Sequence, residues 1–300
     1  MHSAICWNCL FNDFSTSLVS GTGIFIVYSV SRVGENEKSK PQSAGNQRHK
    51  YSLVGTSETT RGTIYPISFC EWLAGLIDGD GCLLVSKQGY TSLEITIGLE
   101  DIYPLRYIQD KLGGSIKLRS GTKTYRYRLR NKEGMLKLIS AINGHIRHST
   151  RLTQLHRVCQ VLNVPLINPQ KPTVKSYWFA GFFDAVGTIG ITMKNDLPQL
   201  SVRVTNKRLQ DVEIYKTVFG GNIYYDSSKN GYYQWSIQNK KEVLNMLDYF
   251  NNVSFKSHKS LRYHLIQNYY DLYDKEAFMS NSPFNKAWHY FLMKWNKLMI

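Results

Sequence analysis

A ten-residue run that occurs twice constrains this chain more than any other feature. The first copy, residues 72–81, reads WLAGLIDGDG, and the second, residues 178–187, reads WFAGFFDAVG. A single offset aligns their glycines and acids, and Gly-Gly pairs at 113–114 and 220–221 keep nearly the same spacing. A fixed spacing of this kind indicates a tandem duplication with small loop insertions. One position breaks the match, because Asp80 of the first copy corresponds to Val186 of the second.

Length and charge limit the possible functions. The 300 residues provide room for two domains of ordinary size. Lys and Arg number 37 against 22 Asp and Glu, giving a net charge of +15 and a pI near 9.5. Such an excess favours a polyanionic partner, although a basic surface without a ligand remains open. The odd number of five cysteines does not indicate a disulfide framework and fits a reducing compartment.

Residues 1–65 differ from the rest and are predicted to be a partly disordered extension without chemistry. Their apolar segment at 23–28 is too short to span a bilayer, so no membrane partner is expected. Hydrophobic periodicity predicts helix, two strands, helix, two strands and helix in each half, with a further helix around 152–162 in the first. The first half is assigned to residues 66–164, a Pro-rich linker to 165–176, and the second half with a C-terminal helix to 177–300.

Two predicted strands carry candidate nucleic-acid contacts. Strict alternation over 125–130 places Arg126, Arg128 and Arg130 on one face, which favours a phosphate-rich groove over a merely solvated face. In the second half Gln234 and Gln238 share a face of the strand predicted over 232–238. They could read base edges or simply face solvent, and both interpretations stay open. Arg203, on the neighbouring predicted strand, is a further candidate DNA contact.

The repeated runs predict helices with chemistry at their C-terminal ends. Glycine inside a helix costs about 1 kcal/mol relative to alanine, so Gly75 and Gly181 indicate a close backbone approach. Packing there would bring the two helix ends side by side. A carboxylate at the negative end of a helix dipole favours a cation, and Mg²⁺ or another divalent ion suits such oxygen ligands. Beside a basic surface, this predicts metal-assisted phosphodiester hydrolysis.

Both runs resemble the LAGLIDADG motif of homing endonucleases and intron maturases, over about residues 66–270. The resemblance implies an α+β fold with two pseudo-twofold related halves, whose saddle-shaped antiparallel sheets straddle double-stranded DNA. It also implies a monomer in which one acid from each motif helix binds the divalent ions that cleave the two strands, in a chain usually encoded by organellar introns of mitochondria or chloroplasts. The target sequence and the host gene cannot be read from the residues.

The resemblance also implies roles for individual residues. The metal-binding acid falls on Asp80 in the first half and on the degenerate Val186 in the second. The carbonyls of Gly79 and Ala185 become neighbouring metal ligands, whereas Asp78 and Asp184 are expected to hold backbone hydrogen bonds. A basic catalytic residue beside each metal matches two residues of this chain: Arg151 and Lys259.

Val186 has no lone pair to give a metal, so cleavage should suffer more than folding or binding. Three hypotheses follow. The first is a DNA endonuclease that is weakened or nicks one strand. The second is an RNA maturase that helps a group I intron to splice, and the third is an inactive DNA-binding remnant.

Overall fold

The computed structural model describes residues 65–298, so nearly all of the predicted N-terminal extension lies outside the described residues. The first half follows the predicted order of elements. Its elements are α1 (Ile67–Asp80), β1 (Gly81–Val85), β2 (Thr91–Gly98), α2 (Ile102–Leu112), β3 (Ser115–Leu118), β4 (Thr124–Leu129), α3 (Lys132–Ile142) and α4 (Ser149–Leu162).

The second half repeats this order and then adds helices. Its elements are α5 (Trp178–Val186), β5 (Gly187–Lys194), β6 (Leu197–Asn206), α6 (Leu209–Phe219), β7 (Asn222–Asp226), β8 (Tyr232–Ile237), α7 (Lys240–Asn252), α8 (Lys259–Tyr263), α9 (Ile266–Tyr273) and α10 (Asn285–Lys297). The predicted C-terminal helix is therefore present as α10, which buries Trp288, Phe291 and Trp295. None of the helices in residues 65–298 is long and apolar enough to cross a membrane.

Each half contains one four-stranded antiparallel sheet. The strand orders, β1-β2-β4-β3 and β5-β6-β8-β7, are equivalent. In the first sheet Leu93, Ile95 and Tyr127 are fully buried against the helices, while the alternate side chains form the opposite face. This periodicity of two is what a half-buried strand requires. The predicted α+β, duplicated architecture is confirmed.

The two motif helices, α1 and α5, pack directly against each other through their glycines. A Cβ atom placed on Gly75 would lie 2.0 Å from the carbonyl oxygen of Trp178, and one on Gly181 would lie 1.8 Å from that of Trp72. Both distances are far below van der Waals contact. The glycines are therefore required because backbone meets backbone at this seam, and the predicted close approach is confirmed.

Reciprocal hydrogen bonds cross the same seam. The indole Nε1 of Trp72 donates to Asp184 at 2.8 Å, and that of Trp178 donates to Asp78 at 2.7 Å. All four side chains are buried. Each half thus completes the hydrogen bonding of the other in the same way, which is the local signature of a pseudo-twofold relation between the halves.

Candidate functional site

The C-terminal ends of α1 and α5 meet at the seam. A Cβ on Gly79 would lie 2.3 Å from the Cβ of Ala185 and 3.4 Å from Cγ1 of Val186. Asp80, the last residue of α1, is only 5% exposed. The structure therefore brings together the four positions at which the sequence predicts metal chemistry.

Arg151 reaches the end of α1 from the first turn of α4. Its Nε donates to the carbonyl oxygen of Ile77 at 3.2 Å, and its Nη2 donates to that of Gly79 at 3.5 Å. The last carbonyls of a helix have no partners within the helix, and cations are favoured there. Arg151 thus lies where the sequence predicts the basic residue of the first half.

Lys259 occupies the corresponding place at the end of α5, in a tighter geometry. Its Nζ donates to the carbonyl oxygens of Phe183 at 3.0 Å, Asp184 at 2.6 Å and Ala185 at 3.0 Å. Burial lowers the pKa of Lys259, although the nearby Asp80 carboxylate acts in the opposite direction. The ammonium is therefore held by three carbonyl oxygens and by the negative charge of nearby carboxylates, with Asp80 contributing most among them.

Asp78 and Asp184 hold the backbone, as predicted. Asp78 Oδ2 accepts from the amide of Arg147 at 2.8 Å in addition to the Trp178 indole. Asp184 accepts from the amides of Lys256 at 3.0 Å and Ser257 at 2.9 Å. These loops precede α4 and α8, so the two acids position the helices that carry the basic residues.

The two acids differ in their surroundings. Both oxygens of Asp184 accept hydrogen bonds, whereas Oδ1 of Asp78 is buried without a hydrogen-bond partner. Burial raises the pKa of Asp78 to about 7, against the lowering effect of the Arg147 amide and the Trp178 indole. An incompletely solvated carboxylate in a buried position favours its neutral form.

The donor atoms at the two helix ends suit a metal unequally. Asp80 and Gly79 offer a carboxylate and a carbonyl oxygen, the hard donors that Mg²⁺ takes. At the other end Val186 offers no donor, and the oxygen of Ala185 already accepts from Lys259. The end of α1 therefore offers the more complete donor set for a divalent ion, because it adds the carboxylate of Asp80, and the role of Ala185 as a metal ligand stays a prediction.

Two further acids position the basic residues, and sequence reasoning missed them. Asp101 accepts from the amide of His258 at 2.7 Å and lies 2.8 Å from its Nδ1, at the start of α8. Asp211 accepts from the amide and hydroxyl of Ser149 at 3.2 Å, at the start of α4. Each acid comes from the opposite half. Asp101 and Asp211 occupy equivalent positions in the two halves, just before α2 and near the start of α6. This equivalence was the only signal in the sequence that could have identified them.

The three predicted arginines gather around one acid. Glu94 lies opposite Arg128 in the β2–β4 register, and its carboxylate is 2.7 Å from Arg128 Nε. Arg126 and Arg130 each approach it to 3.9 Å. The predicted common face is confirmed up to the end of β4 at Leu129, with Arg130 just beyond it. Glu94, which no local sequence pattern singles out, offsets part of the positive charge.

The second sheet presents polar groups on its corresponding face. Arg203 pairs with Ser236, and the next pair on that face joins Gln234 to Thr205. The strand predicted over 232–238 is one residue too long. The observed strand β8 ends at Ile237, so Gln238 lies just beyond it. Instead, Gln238 helps to line a cavity of about 360 Å³ beside Tyr269 and Tyr270 of α9. The strand ends there because the chain turns into α7, which begins at Lys240.

Comparisons with known proteins agree with this architecture. The family model described as LAGLIDADG endonuclease matches residues 73–162 and 179–270. The intron-encoded RNA maturase bI4 of Saccharomyces cerevisiae is 53% identical over 281 residues, covering 82% of this chain and 44% of that protein. The probable intron-encoded endonuclease aI2 of Debaryomyces hansenii is 46% identical over 264 residues, covering 82% of this chain and 40% of its own length. The chain thus spans less than half the length of these two relatives.

A solved structure shares the fold. The I-LtrWI LAGLIDADG homing endonuclease, solved bound to target DNA, superposes with a TM-score of 0.57 at 15% identity. The match covers 77% of this chain and 98% of that protein. Because the family model matches both halves over most of the described chain, and the motif helices form the seam between two equivalent sheets, the chain belongs to the LAGLIDADG endonuclease family.

Proposed function

We propose that this protein binds duplex DNA across the open faces of its two sheets and hydrolyses one strand at Asp80. The observation that carries the proposal is the unequal pair of helix ends. Asp80 and the carbonyl of Gly79 lie together at the end of α1, whereas Val186 replaces the acid at the end of α5. One competent end beside one incompetent end predicts nicking rather than a double-strand break.

The charge distribution supports a nucleic-acid partner. The chain carries a net charge of +15, and the open faces present Arg126 and Arg128 in the first sheet and Arg203 in the second. Phosphate contacts by such side chains supply most of the affinity for nucleic acid and little of its sequence preference. Gln234 is positioned on the same open face for contacts with base edges.

Each residue at the end of α1 has a distinct task in this proposal. Asp80 and the Gly79 carbonyl would hold a divalent ion such as Mg²⁺, which when bound polarises a phosphate oxygen and lowers the pKa of a water ligand. Arg151, fixed on the carbonyls of Ile77 and Gly79, places a permanent positive charge beside the phosphate. Arginine cannot act as a proton acceptor there, so its contribution is electrostatic.

We further propose that the protein acts as a monomer in an organelle whose genes contain the intron that encodes it. The pseudo-twofold relation within one chain supports the first statement, because two motif helices are already paired at the seam. The relatives named as intron-encoded proteins support the second. Sedimentation of the purified chain at micromolar concentration should give a single species of 34.6 kDa.

The test of cleavage is a plasmid assay. Supercoiled plasmid carrying the uninterrupted junction of the host gene is incubated with the protein and Mg²⁺, and topological forms are separated on a gel. Nicked circles are expected, and Asp80→Asn should abolish them. Asp110→Asn, an exposed acid on α2, is the matched control and should nick at the wild-type rate. Linear product would contradict the assignment of one competent end.

A second candidate function is RNA maturation, in which the protein binds the intron that encodes it and assists splicing. The damaged end of α5 favours this candidate, since RNA folding needs a basic surface and not a second acid. The 53% identical relative named as an RNA maturase supports it. Splicing of the precursor RNA should then persist in Asp80→Asn, whereas supercoiled plasmid should stay uncut even with the wild-type protein.

A further inference from the structure

Lys259 is connected to α5 in a way that its predicted catalytic role does not require. An ammonium group has three N–H donors. In this structure Nζ lies within hydrogen-bond distance of three carbonyl oxygens, from Phe183, Asp184 and Ala185. Every donor is therefore used within the protein, and none is left for a phosphate or a water molecule.

The place that Lys259 fills is one that demands a cation. The carbonyl oxygen of Phe183 accepts from the Gly187 amide that caps α5, while those of Asp184 and Ala185 lie beyond the last bonds of the helix, at the negative end of its dipole. The 2.6 Å distance to Asp184 is in the range of charge-assisted hydrogen bonds. With valine at position 186, the end of α5 has no carboxylate of its own to hold a different cation.

The first half also has a cation at the end of its helix but holds it more loosely. Arg151 approaches the end of α1 at 3.2 Å and 3.5 Å, distances that mark weak hydrogen bonds. A guanidinium has five N–H donors, so most of them remain for other groups. The carbonyl of Gly79 is held loosely, and the adjacent Asp80 can supply a negatively charged ligand.

We propose that the Lys259 ammonium is the built-in cation of the second half, so this half takes no divalent ion. Lys259 is then a positioning residue that fixes the end of α5, and not one that touches the substrate. A divalent ion on the Ala185 oxygen would lie within about 5 Å of the ammonium, and the two charges would repel. This inference rests on the proposed function in one respect, which is that Asp80 holds a divalent ion in the first half.

Counting bound Mn²⁺ tests this proposal without any cleavage assay. The full chain is titrated with MnCl₂ and free Mn²⁺ is measured by electron paramagnetic resonance. Wild type should bind one ion, which Asp80→Asn removes. Val186→Asp should gain no second ion of comparable affinity. When Val186→Asp is combined with Lys259→Met, the protein should bind a second ion at least tenfold more tightly than Val186→Asp alone does. Val186→Asp combined with Lys256→Met is the matched control and should behave as Val186→Asp does.

The possible results separate the two proposals. Two tight ions in Val186→Asp, or no gain in the double variant with Lys259→Met, would overturn the role of Lys259. An ion count that Asp80→Asn leaves unchanged would contradict the proposed function, while the comparison of the Val186→Asp variants still decides the role of Lys259.

A second measurement uses the unaltered protein, in case Lys259→Met prevents folding. The native chain is treated briefly with an amine-acylating reagent, and modified peptides are quantified by mass spectrometry. Lys259 should react at least tenfold more slowly than Lys256, whose ammonium lies over the rings of Trp72 and Tyr107. Equal rates would mean that the three hydrogen bonds do not hold Lys259, and would overturn the proposal.

Discussion

The ends of α1 and α5 come from the same motif and differ in one residue and one partner. Both helices use a glycine at the seam and an acid that binds backbone amides. Only the first ends in an acid, Asp80, and only the second has a lysine ammonium bonded to three of its last carbonyls. The features that hold the fold are therefore shared, while the feature that serves chemistry is not. Val186 still packs against the core at the end of α5, so the loss of the acid leaves the architecture intact.

A second contrast lies two residues earlier in each helix. Asp78 and Asp184 do equivalent work, but the second is better satisfied by hydrogen bonds than the first. The half that retains Asp80 thus contains Asp78, the buried acid with fewer satisfied oxygens. Substitutions made in one half and then at the equivalent position of the other half test this difference between the two halves.

The largest effect is expected at the seam glycines. In Gly75→Ala the new Cβ would lie 2.0 Å from a backbone oxygen of the other helix, and in Gly181→Ala 1.8 Å. Neither backbone can yield easily, so each variant should lose about 3 kcal/mol or more of unfolding free energy, measured by urea denaturation. Gly190→Ala is the control, because its nearest neighbour is the flexible end of Arg203 at 3.0 Å. A small loss at either seam position would contradict the close packing.

The next effect is a pH dependence that belongs to Asp78. Its folded-state pKa is raised to about 7, above the unfolded value of about 3.9. The stabilisation linked to its proton is thus complete below pH 4 and is lost as the pH rises through 7. The unfolding free energy of wild type relative to Asp78→Asn should fall by about 2 to 3 kcal/mol from pH 5 to pH 7. Urea denaturation at both values checks this, and a difference that does not change with pH would contradict it.

A smaller effect is expected when the crossing indoles are removed. Trp178→Phe and Trp72→Phe each leave a buried carboxylate short of one donor, at a cost of about 1 to 3 kcal/mol. Trp178→Phe should cost more, because Oδ1 of Asp78 is buried without a hydrogen-bond partner, whereas both oxygens of Asp184 accept from backbone amides. Thermal unfolding of both variants gives the ranking. Equal losses would mean that the two halves are energetically equivalent at this position.

The smallest effect concerns the first sheet. Glu94→Gln removes the acid that approaches three arginines, so affinity for duplex DNA should rise about three- to tenfold at low salt, which is about 1 kcal/mol. Fluorescence anisotropy over a salt series measures it. Glu213→Gln makes the same charge change at an exposed position on α6. An equal gain in that control would mean that the total charge of the protein raises the affinity, and not the loss of the acid beside the three arginines.

Much of the fold could be predicted from the sequence, since the necessary signals are local. The repeated run identified the duplication, and hydrophobic periodicity gave the order of helices and strands in both halves. Gly75 and Gly181 identified the helix seam, because glycine inside a helix is costly unless backbones approach closely. The absence of a donor at Val186 was also visible, since it depends only on residue type.

Other features depended on contacts between distant parts of the chain. The meeting of Glu94 with the arginines follows from strand register, and the pairing of Asp101 with His258 joins opposite halves. Neither has a local pattern that would reveal it. The role of Lys259 is the clearest case. Its sequence position indicated a cation near the end of α5, but only the tertiary structure decided that all three of its donors meet helix carbonyls, because that geometry depends on where the fold places the start of α8 relative to the end of α5.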